Sequence, residues 1–178
     1  MRTAAGERLE VMIEAQQIRG RVEQLGEQIT RDYEDKELML IGILKGSFVF
    51  IADLARCIDL PLAVDFMAVS SYGMSTQSSG VVRIIKDLDH SVEGKHVLVV
   101  EDIVDTGLTL NYIYGHVRAR GAMSVKICTL LDKVSRRQVA VPVHYKGFEI
   151  PDDFVVGYGL DVEERYRNLG DVCRVTRT

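Results

Sequence analysis

Two adjacent carboxylates, Glu101 and Asp102, close the apolar run Val97–Val100. The segment Asp105-Thr106-Gly107-Leu108-Thr109 follows shortly after, and then a helical pattern begins. Each part has a chemical use. A buried strand delivers its last residues to the edge of a sheet. Paired carboxylates suit vicinal hydroxyls or a hard cation. The turn brings backbone N–H groups, and the hydroxyls of Thr106 and Thr109, to the start of a helix, where phosphate binds well. Gly107 lets the backbone approach a ligand closely. A lone Glu-Asp pair is ordinarily a polar strand end, and Asp or Thr before a helix an ordinary cap. Strand, pair, turn and helix in direct succession instead describe a site for a phosphorylated sugar.

Those residues need a scaffold. Residues 7–29 read as an amphipathic helix, because Leu9, Ile13, Ile18, Val22, Leu25 and Ile29 recur at helical spacing. Leu38–Leu44 is a continuous apolar run, suited to a strand buried on both faces. Lys45-Gly46-Ser47 interrupts it, and Ser47 is expected to cap a helix that contains Phe48, Ile51, Ala52, Leu54 and Ala55. Pro61 marks the next boundary. Strand character returns at Leu62–Val69, Val81–Lys86, His96–Glu101, Ser124–Leu131, Phe154–Leu160 and Val172–Val175. Leu110, Ile113, Tyr114 and Val117 form one apolar stripe on a helix that Gly121 ends. Ser70–Gly80, uncharged and rich in Ser and Gly, reads as a mobile loop. Strands alternating with helices predict an α/β fold with a mostly parallel sheet flanked by helices. Such sheets bind ligands beyond the carboxyl ends of their strands. The loops after Leu44, Glu101, Leu131 and Leu160 are all expected there.

The bulk properties narrow the field. The 178 residues are read as one domain, 1–178, with room for a substantial core. A net charge of −4 offers no general attraction to nucleic acid or to a membrane surface. Cys57, Cys128 and Cys173 form no CxxC pair, and any disulfide would leave one over, which suits reduced thiols in a cytoplasmic protein. The four histidines lack HExxH-like spacing, so no dedicated zinc site is expected. Glu7, Arg8, Glu10 and Glu14 exclude a secretory signal at the N-terminus. No apolar run approaches the ~20 residues that cross a bilayer.

Glu101–Thr109 resembles the signature of the purine/pyrimidine phosphoribosyltransferase family, whose members bind 5-phosphoribosyl-1-pyrophosphate. Further segments match in family order from Leu44 to Arg167. Within the family the likeness is to the bacterial-type hypoxanthine(-guanine) branch. The resemblance implies the type I phosphoribosyltransferase fold, with a small hood made from the N-terminal and C-terminal segments. It assigns Glu101 and Asp102 to the ribose hydroxyls and, with Asp161, to Mg²⁺. Asp105, Thr106, Gly107, Leu108 and Thr109 would wrap the 5′-phosphate. Asp105 would also accept the proton that a 6-oxopurine loses on becoming the nucleophile. Lys133 would donate to purine O6. Phe154 would stack on the purine ring, unless it belongs to the core, and Val155 would meet the base edge through its main chain. Lys45, Gly46, Ser71, Tyr72 and Arg167 would hold pyrophosphate, and the Lys45–Gly46 link would be a cis peptide. Ser47 departs from some members, which carry a second Gly there. Glu163, Glu164 and Arg165 read as solvated surface charges.

The implied activity is purine salvage: transfer of the phosphoribosyl group to hypoxanthine or guanine, giving IMP or GMP and pyrophosphate, in a cytoplasmic homodimer or homotetramer with no nucleic-acid or membrane partner. Pyrimidine-attenuation regulators share the fold and a similar signature, but they commonly carry Tyr where Asp105 stands and need a basic RNA-binding face. A dinucleotide or P-loop protein is disfavoured because neither GxGxxG nor GxxxxGK[ST] occurs.

Overall fold

Strand periodicity divides the core into two layers around one sheet. The computed structural model describes residues 7–71 and 82–177. In β2 (Leu38–Leu44), Leu38 and Leu40 join one apolar cluster while Met39, Ile41 and Ile43 join another. The same alternation sends Leu98 and Val100 of β5 (His96–Val104) to the first cluster, and Val97 and Val99 to the second. Helices α1 (Ala15–Asp32) and α2 (Phe48–Cys57) cover the first face through Ile18, Val22, Leu25, Phe50 and Leu54. Helix α3 (Leu108–Ala119) covers the second through Leu110, Ile113 and Val117. The expectation of a mostly parallel sheet flanked by helices holds.

The remaining strands of this sheet are β3 (Leu62–Ser71), β4 (Val82–Lys86), β6 (Ser124–Asp132) and β7 (Tyr145–Glu149), in the order β4-β3-β2-β5-β6-β7. Every neighbouring pair is parallel except β3 with β4. From β2 the chain crosses through α2 to β3 on one side. From β5 it crosses through α3 to β6 on the other. The point of divergence lies between β2 and β5, where a sheet of this kind opens a crevice. Pairing of β2 with β5 stops at Gly42 and Val100, whereas β5 with β6 continues to Val104 and Asp132. Residues Glu101–Val104 therefore border that crevice.

A second, antiparallel sheet has the order β1-β9-β8, formed by β1 (Glu7–Ile13), β8 (Val155–Val156) and β9 (Val172–Arg177). It corrects two expectations. Residues 7–13 are a strand, not the start of the helix, because β9 lies alongside to take up their backbone groups in register from Glu7 with Arg177 to Ile13 with Val172. Of the expected strand Phe154–Leu160 only Val155–Val156 is one, since the chain then turns through Gly157, Tyr158 and Gly159, all at positive φ. The loop after Leu160 thus belongs to the smaller sheet and not to a strand end of the main one. Strand β7 went unforeseen, and β5 runs three residues past Glu101. Ser47 occupies the first position before α2, but its hydroxyl donates to the Ile43 carbonyl at 2.7 Å and caps nothing. The Ser70–Gly80 loop, Tyr72 included, falls almost wholly outside the described residues, as does the side chain of Ser71.

Candidate active site

The crevice between β2 and β5 receives residues from four separate places in the chain. A cleft of about 330 Å³ is lined by Lys45, Gly46, Asp102, Ile103, Asp105, Lys133, Phe154, Val155, Leu160, Asp161 and Arg167. Beside it, a hollow of about 160 Å³ is walled by Glu101, Asp105, Thr106, Gly107 and Thr109. The two meet at Ile103 and Asp105. A larger cavity, about 390 Å³, lies against α1 and α2 around Arg19, Asp53 and Tyr158 and holds none of these residues. All the expected site residues with described side chains, apart from Leu108 at the start of α3, thus line one of two adjoining spaces.

Adjacent strand residues point to opposite faces, so Glu101 lines the hollow and Asp102 the cleft. Asp102 is buried. Glu101 is part-exposed as a whole, but its Oε2 is enclosed without a hydrogen-bond partner. Burial, reinforced by the neighbouring Asp102 carboxylate, pushes the Glu101 carboxyl well above the ordinary glutamate range. Burial also raises the Asp102 carboxyl. Once ionised, each carboxyl presents negative charge to its own space, where a bound cation would offset it.

Gly46 is fitted against this pair. A Cβ at residue 46 would lie 1.7 Å from Asp102 Oδ2, a collision that a short buried side chain cannot relieve. The peptide bond in the cis form is Leu44–Lys45, one residue earlier than the expected Lys45–Gly46 link. On the other flank, a Cβ at Gly159 would lie 2.1 Å from the Gly46 carbonyl oxygen, and Gly159 has φ +103°. The Lys45-Gly46 turn is thus held between the main sheet and the loop that follows β8.

That loop supplies the acidic and basic groups opposite. Arg167 Nη2 sits 2.8 Å from Asp161 Oδ1 and 3.2 Å from Glu164 Oε2, and Arg167 Nη1 donates to the Gly159 carbonyl at 2.8 Å. Lys45 Nζ donates to Glu164 Oε1 at 3.1 Å. Glu164 is therefore more than a solvated charge: its carboxylate bridges the two cations expected to meet pyrophosphate. These contacts draw its carboxyl below the ordinary range, Lys45 foremost. Glu163 and Arg165 pair with each other at the surface, as expected of them.

The far wall of the cleft carries Lys133 and Phe154. Lys133 follows β6 directly and is buried, which is unusual for lysine. Its Nζ comes no nearer than 3.7 Å to Asp152 Oδ1, too long for a hydrogen bond, so its donors remain available to a ligand. Phe154 is 55 % exposed, which removes it from the core, and it lines the cleft. Val155 is buried and pairs with Arg174 in the smaller sheet. Asp105 Oδ1 accepts from Arg136 Nε at 3.1 Å, and Arg136 Nη1 reaches Asp152 Oδ2 at 3.3 Å.

At the phosphate-suited turn, Gly107 has φ +84° and precedes α3 directly. No side chain caps that helix, so its first amides stay open, with Asn111 the first to bond back, to the Gly107 carbonyl at 2.9 Å. Among the described residues a long contact, Leu108 N to Thr106 Oγ1 at 3.4 Å, competes for them.

Comparison with known proteins agrees with this geometry. The model of the phosphoribosyl transferase domain matches residues 12–163. The chain belongs to the phosphoribosyltransferase family. This phosphoribosyltransferase is 50 % identical over 170 residues to the hypoxanthine phosphoribosyltransferase of Haemophilus influenzae, covering 94 % of this chain and 95 % of the relative. It is 55 % identical over 159 residues to the hypoxanthine-guanine phosphoribosyltransferase of Bacillus subtilis, covering 89 % and 88 %. The crystal structure of a hypoxanthine phosphoribosyltransferase from Staphylococcus aureus superposes with a TM-score of 0.91 at 48 % identity, over 94 % of this chain and 91 % of that one.

Three residues of the site had no sequence signal. Arg136, Asp152 and Glu164 stand among other charges, and only the fold brings them against the residues that line the cleft. Arg136 and Asp105 are 31 positions apart, and Lys45 and Glu164 119.

Proposed function

We propose that this enzyme transfers the 5-phosphoribosyl group from phosphoribosyl pyrophosphate to hypoxanthine or guanine, releasing IMP or GMP and pyrophosphate, as a step of purine salvage. The observation that carries the reading is the convergence of Asp105, Lys133 and Phe154 on the cleft that adjoins the phosphate turn. The names borne by its relatives from Haemophilus influenzae and Bacillus subtilis support it.

The 5′-phosphate lies in the hollow on the amides and hydroxyls of Asp105–Thr109. The ribose hydroxyls meet Glu101 and Asp102. Lys45, Gly46, Ser71, Tyr72 and Arg167 receive pyrophosphate, for which Arg167 offers a bidentate fork. The purine enters between Phe154 and the strand ends. Lys133 donates to O6, which a 6-oxopurine accepts and adenine, with its amino group, does not. Bond breaking between C1 and the pyrophosphate oxygen develops an oxocarbenium-like centre. The purine nitrogen forms the new bond to C1, and the proton the ring sheds passes to Asp105 Oδ2, the oxygen not engaged by Arg136.

The donor set fits Mg²⁺. Glu101 Oε2 is enclosed and unpartnered, Asp102 is buried beside it, and Asp161 lies in the same cleft as Asp102. Among the described residues no three His, Cys, Asp or Glu side chains converge on one point as a metal cage would require. An ion such as Mg²⁺ commonly keeps water and substrate oxygens and takes few protein ligands. Bound there with the donor, Mg²⁺ supplies charge neutralisation for the departing pyrophosphate. Among the described residues no helix is long and apolar enough to cross a membrane. We place the enzyme in the cytoplasm as a homo-oligomer, with 1–178 one domain and the smaller sheet its hood.

The test is pyrophosphate release from phosphoribosyl pyrophosphate and Mg²⁺ with hypoxanthine, guanine, xanthine, adenine and uracil in parallel, using wild type and Asp105→Asn. Turnover confined to 6-oxopurines is expected. Asp105→Asn should lower kcat by about 10²–10⁴-fold while donor binding persists. Donor binding without turnover on any base would overturn the assignment and favour a regulator.

A further inference from the structure

We propose that Arg136 is a positioning residue that holds Asp105 and Lys133 to one geometry on the side of the cleft that receives purine N7 and O6. The proposal rests on the reading of Asp105 and Lys133 given above. Its basis is a fork. Arg136 Nε contacts Asp105 Oδ1 at 3.1 Å, and Arg136 Nη1 contacts Asp152 Oδ2 at 3.3 Å. Asp152 Oδ1 in turn faces Lys133 Nζ at 3.7 Å. The proton acceptor and the O6 donor are therefore linked through one guanidinium and one carboxylate.

The backbone fixes where that guanidinium starts. Lys133 N donates to the Val104 carbonyl at 2.9 Å. Gln138 N and Val139 N donate to the Thr106 carbonyl at 2.9 and 3.2 Å. These bonds fall on the residues immediately before and after Asp105. The segment Val134–Arg136 is a short 3₁₀ turn, closed by Arg136 N to the Lys133 carbonyl at 3.1 Å. Arg136 thus projects from a turn stapled on both sides of the residue it contacts.

Half-exposed ion pairs contribute little stability, and Arg136 and Asp105 are 48 % and 42 % exposed. The use of the contact is orientation. A carboxylate left free rotates about its last two bonds, whereas one oxygen held by a planar donor leaves the other aimed in a fixed direction. The two carboxylates are taken by different nitrogens of one rigid plane, an arrangement that an ammonium on a flexible stem does not reproduce.

The experiment compares Arg136→Ala, Arg136→Lys and Asp105→Asn in the full-length enzyme. It measures steady-state kinetics with hypoxanthine and equilibrium binding of phosphoribosyl pyrophosphate with Mg²⁺. Both Arg136 variants should lose roughly ten- to hundredfold in kcat/KM for hypoxanthine and bind the donor as wild type does. Wild-type kinetics in Arg136→Ala, alongside an impaired Asp105→Asn, would sink the proposal and leave the reading of Asp105 standing. Recovery in Arg136→Lys would show that charge suffices and would also overturn it. Loss of donor binding in Arg136→Ala would place the residue on the phosphate turn instead. Full turnover in Asp105→Asn would remove the reading on which the proposal stands, and the proposal with it.

Discussion

Lys133 is buried, and its ammonium pairs with Asp152 at 3.7 Å without a hydrogen bond; on the function proposed above, that side chain selects the base. A buried ammonium whose ion-pair partner stands beyond hydrogen-bond distance still has donors that a ligand can complete. On the proposed reading, oxygen at purine position 6 accepts from it, whereas an amino group there offers a donor instead. Lys133→Ala is therefore expected to cut the ratio of kcat/KM for hypoxanthine over adenine by about ten- to hundredfold. An unchanged ratio in competition assays would show that another group reads position 6. Glu164 is the complementary case, a carboxylate holding cations that a ligand needs. On the proposed reading, its contacts with Lys45 and Arg167 are exchanged for contacts with pyrophosphate. Glu164→Gln should lower the dissociation constant of the donor by about two- to fivefold, measured by titration at low salt. Unaltered or weaker binding would mean that Glu164 does not compete. Lys133 was legible in the sequence because it follows a strand and sits in a family motif. Glu164 was not, because nothing local distinguishes a glutamate bound across the cleft from one dissolved in water.

Elements were legible where one period dominates. Leu38–Leu44 and the stripe of α3 fall where their spacing places them. The N-terminal segment misled because Leu9 and Ile13 are four apart, a distance that satisfies both a helical turn and two strand repeats. A partner strand from the far end of the chain decides between them, and no local window contains it. Strand β7 is short and mixes Lys, Gly and Glu with its aromatics, so it carries little period of its own. Asp65 shows the same dependence on distant chain. It is buried in β3, and it accepts from Phe66 N at 2.7 Å, Asp89 N at 2.9 Å and His90 N at 3.1 Å. Burial works against its ionisation, but those N–H groups and Lys86 outweigh burial and hold its carboxyl below the ordinary aspartate value. A carboxyl depressed on folding adds stability at pH above its unfolded value and loses it as pH falls through the folded one. Asp65→Asn should destabilise the protein by about 1–3 kcal/mol at neutral pH. The gap to wild type should close below about pH 4 in urea melts across pH. A gap independent of pH would assign the loss to packing.

At the scale of the whole molecule, the site exists only where two separately built sheets touch. The main sheet brings the phosphate turn, the carboxylate pair and Lys133 to one crevice, and this much follows from the alternation of strands and helices. The smaller sheet brings Phe154, Asp161 and Arg167, and its strands come from both ends of the chain. The two sheets share a core through Ile13, Val155 and Val172, and at the site they meet at Gly159 against the Gly46 carbonyl, with Asp102 behind Gly46. Three backbone requirements coincide there: positive φ at Gly159, no side chain at Gly159, and no side chain at Gly46. Gly159→Ala would violate the first two at once. The strain of a residue forced to positive φ is about 1–3 kcal/mol. The collision at 2.1 Å adds to it unless the loop withdraws. Withdrawal relieves the strain by carrying Asp161 and Arg167 away from Lys45 and Asp102, so the cost falls on catalysis more than on folding. Gly159→Ala is expected to keep its circular dichroism spectrum, to melt a few degrees lower, and to lose donor binding and kcat together. Wild-type donor affinity in a folded Gly159→Ala variant would mean that the two sheets need not meet at this point for the site to form.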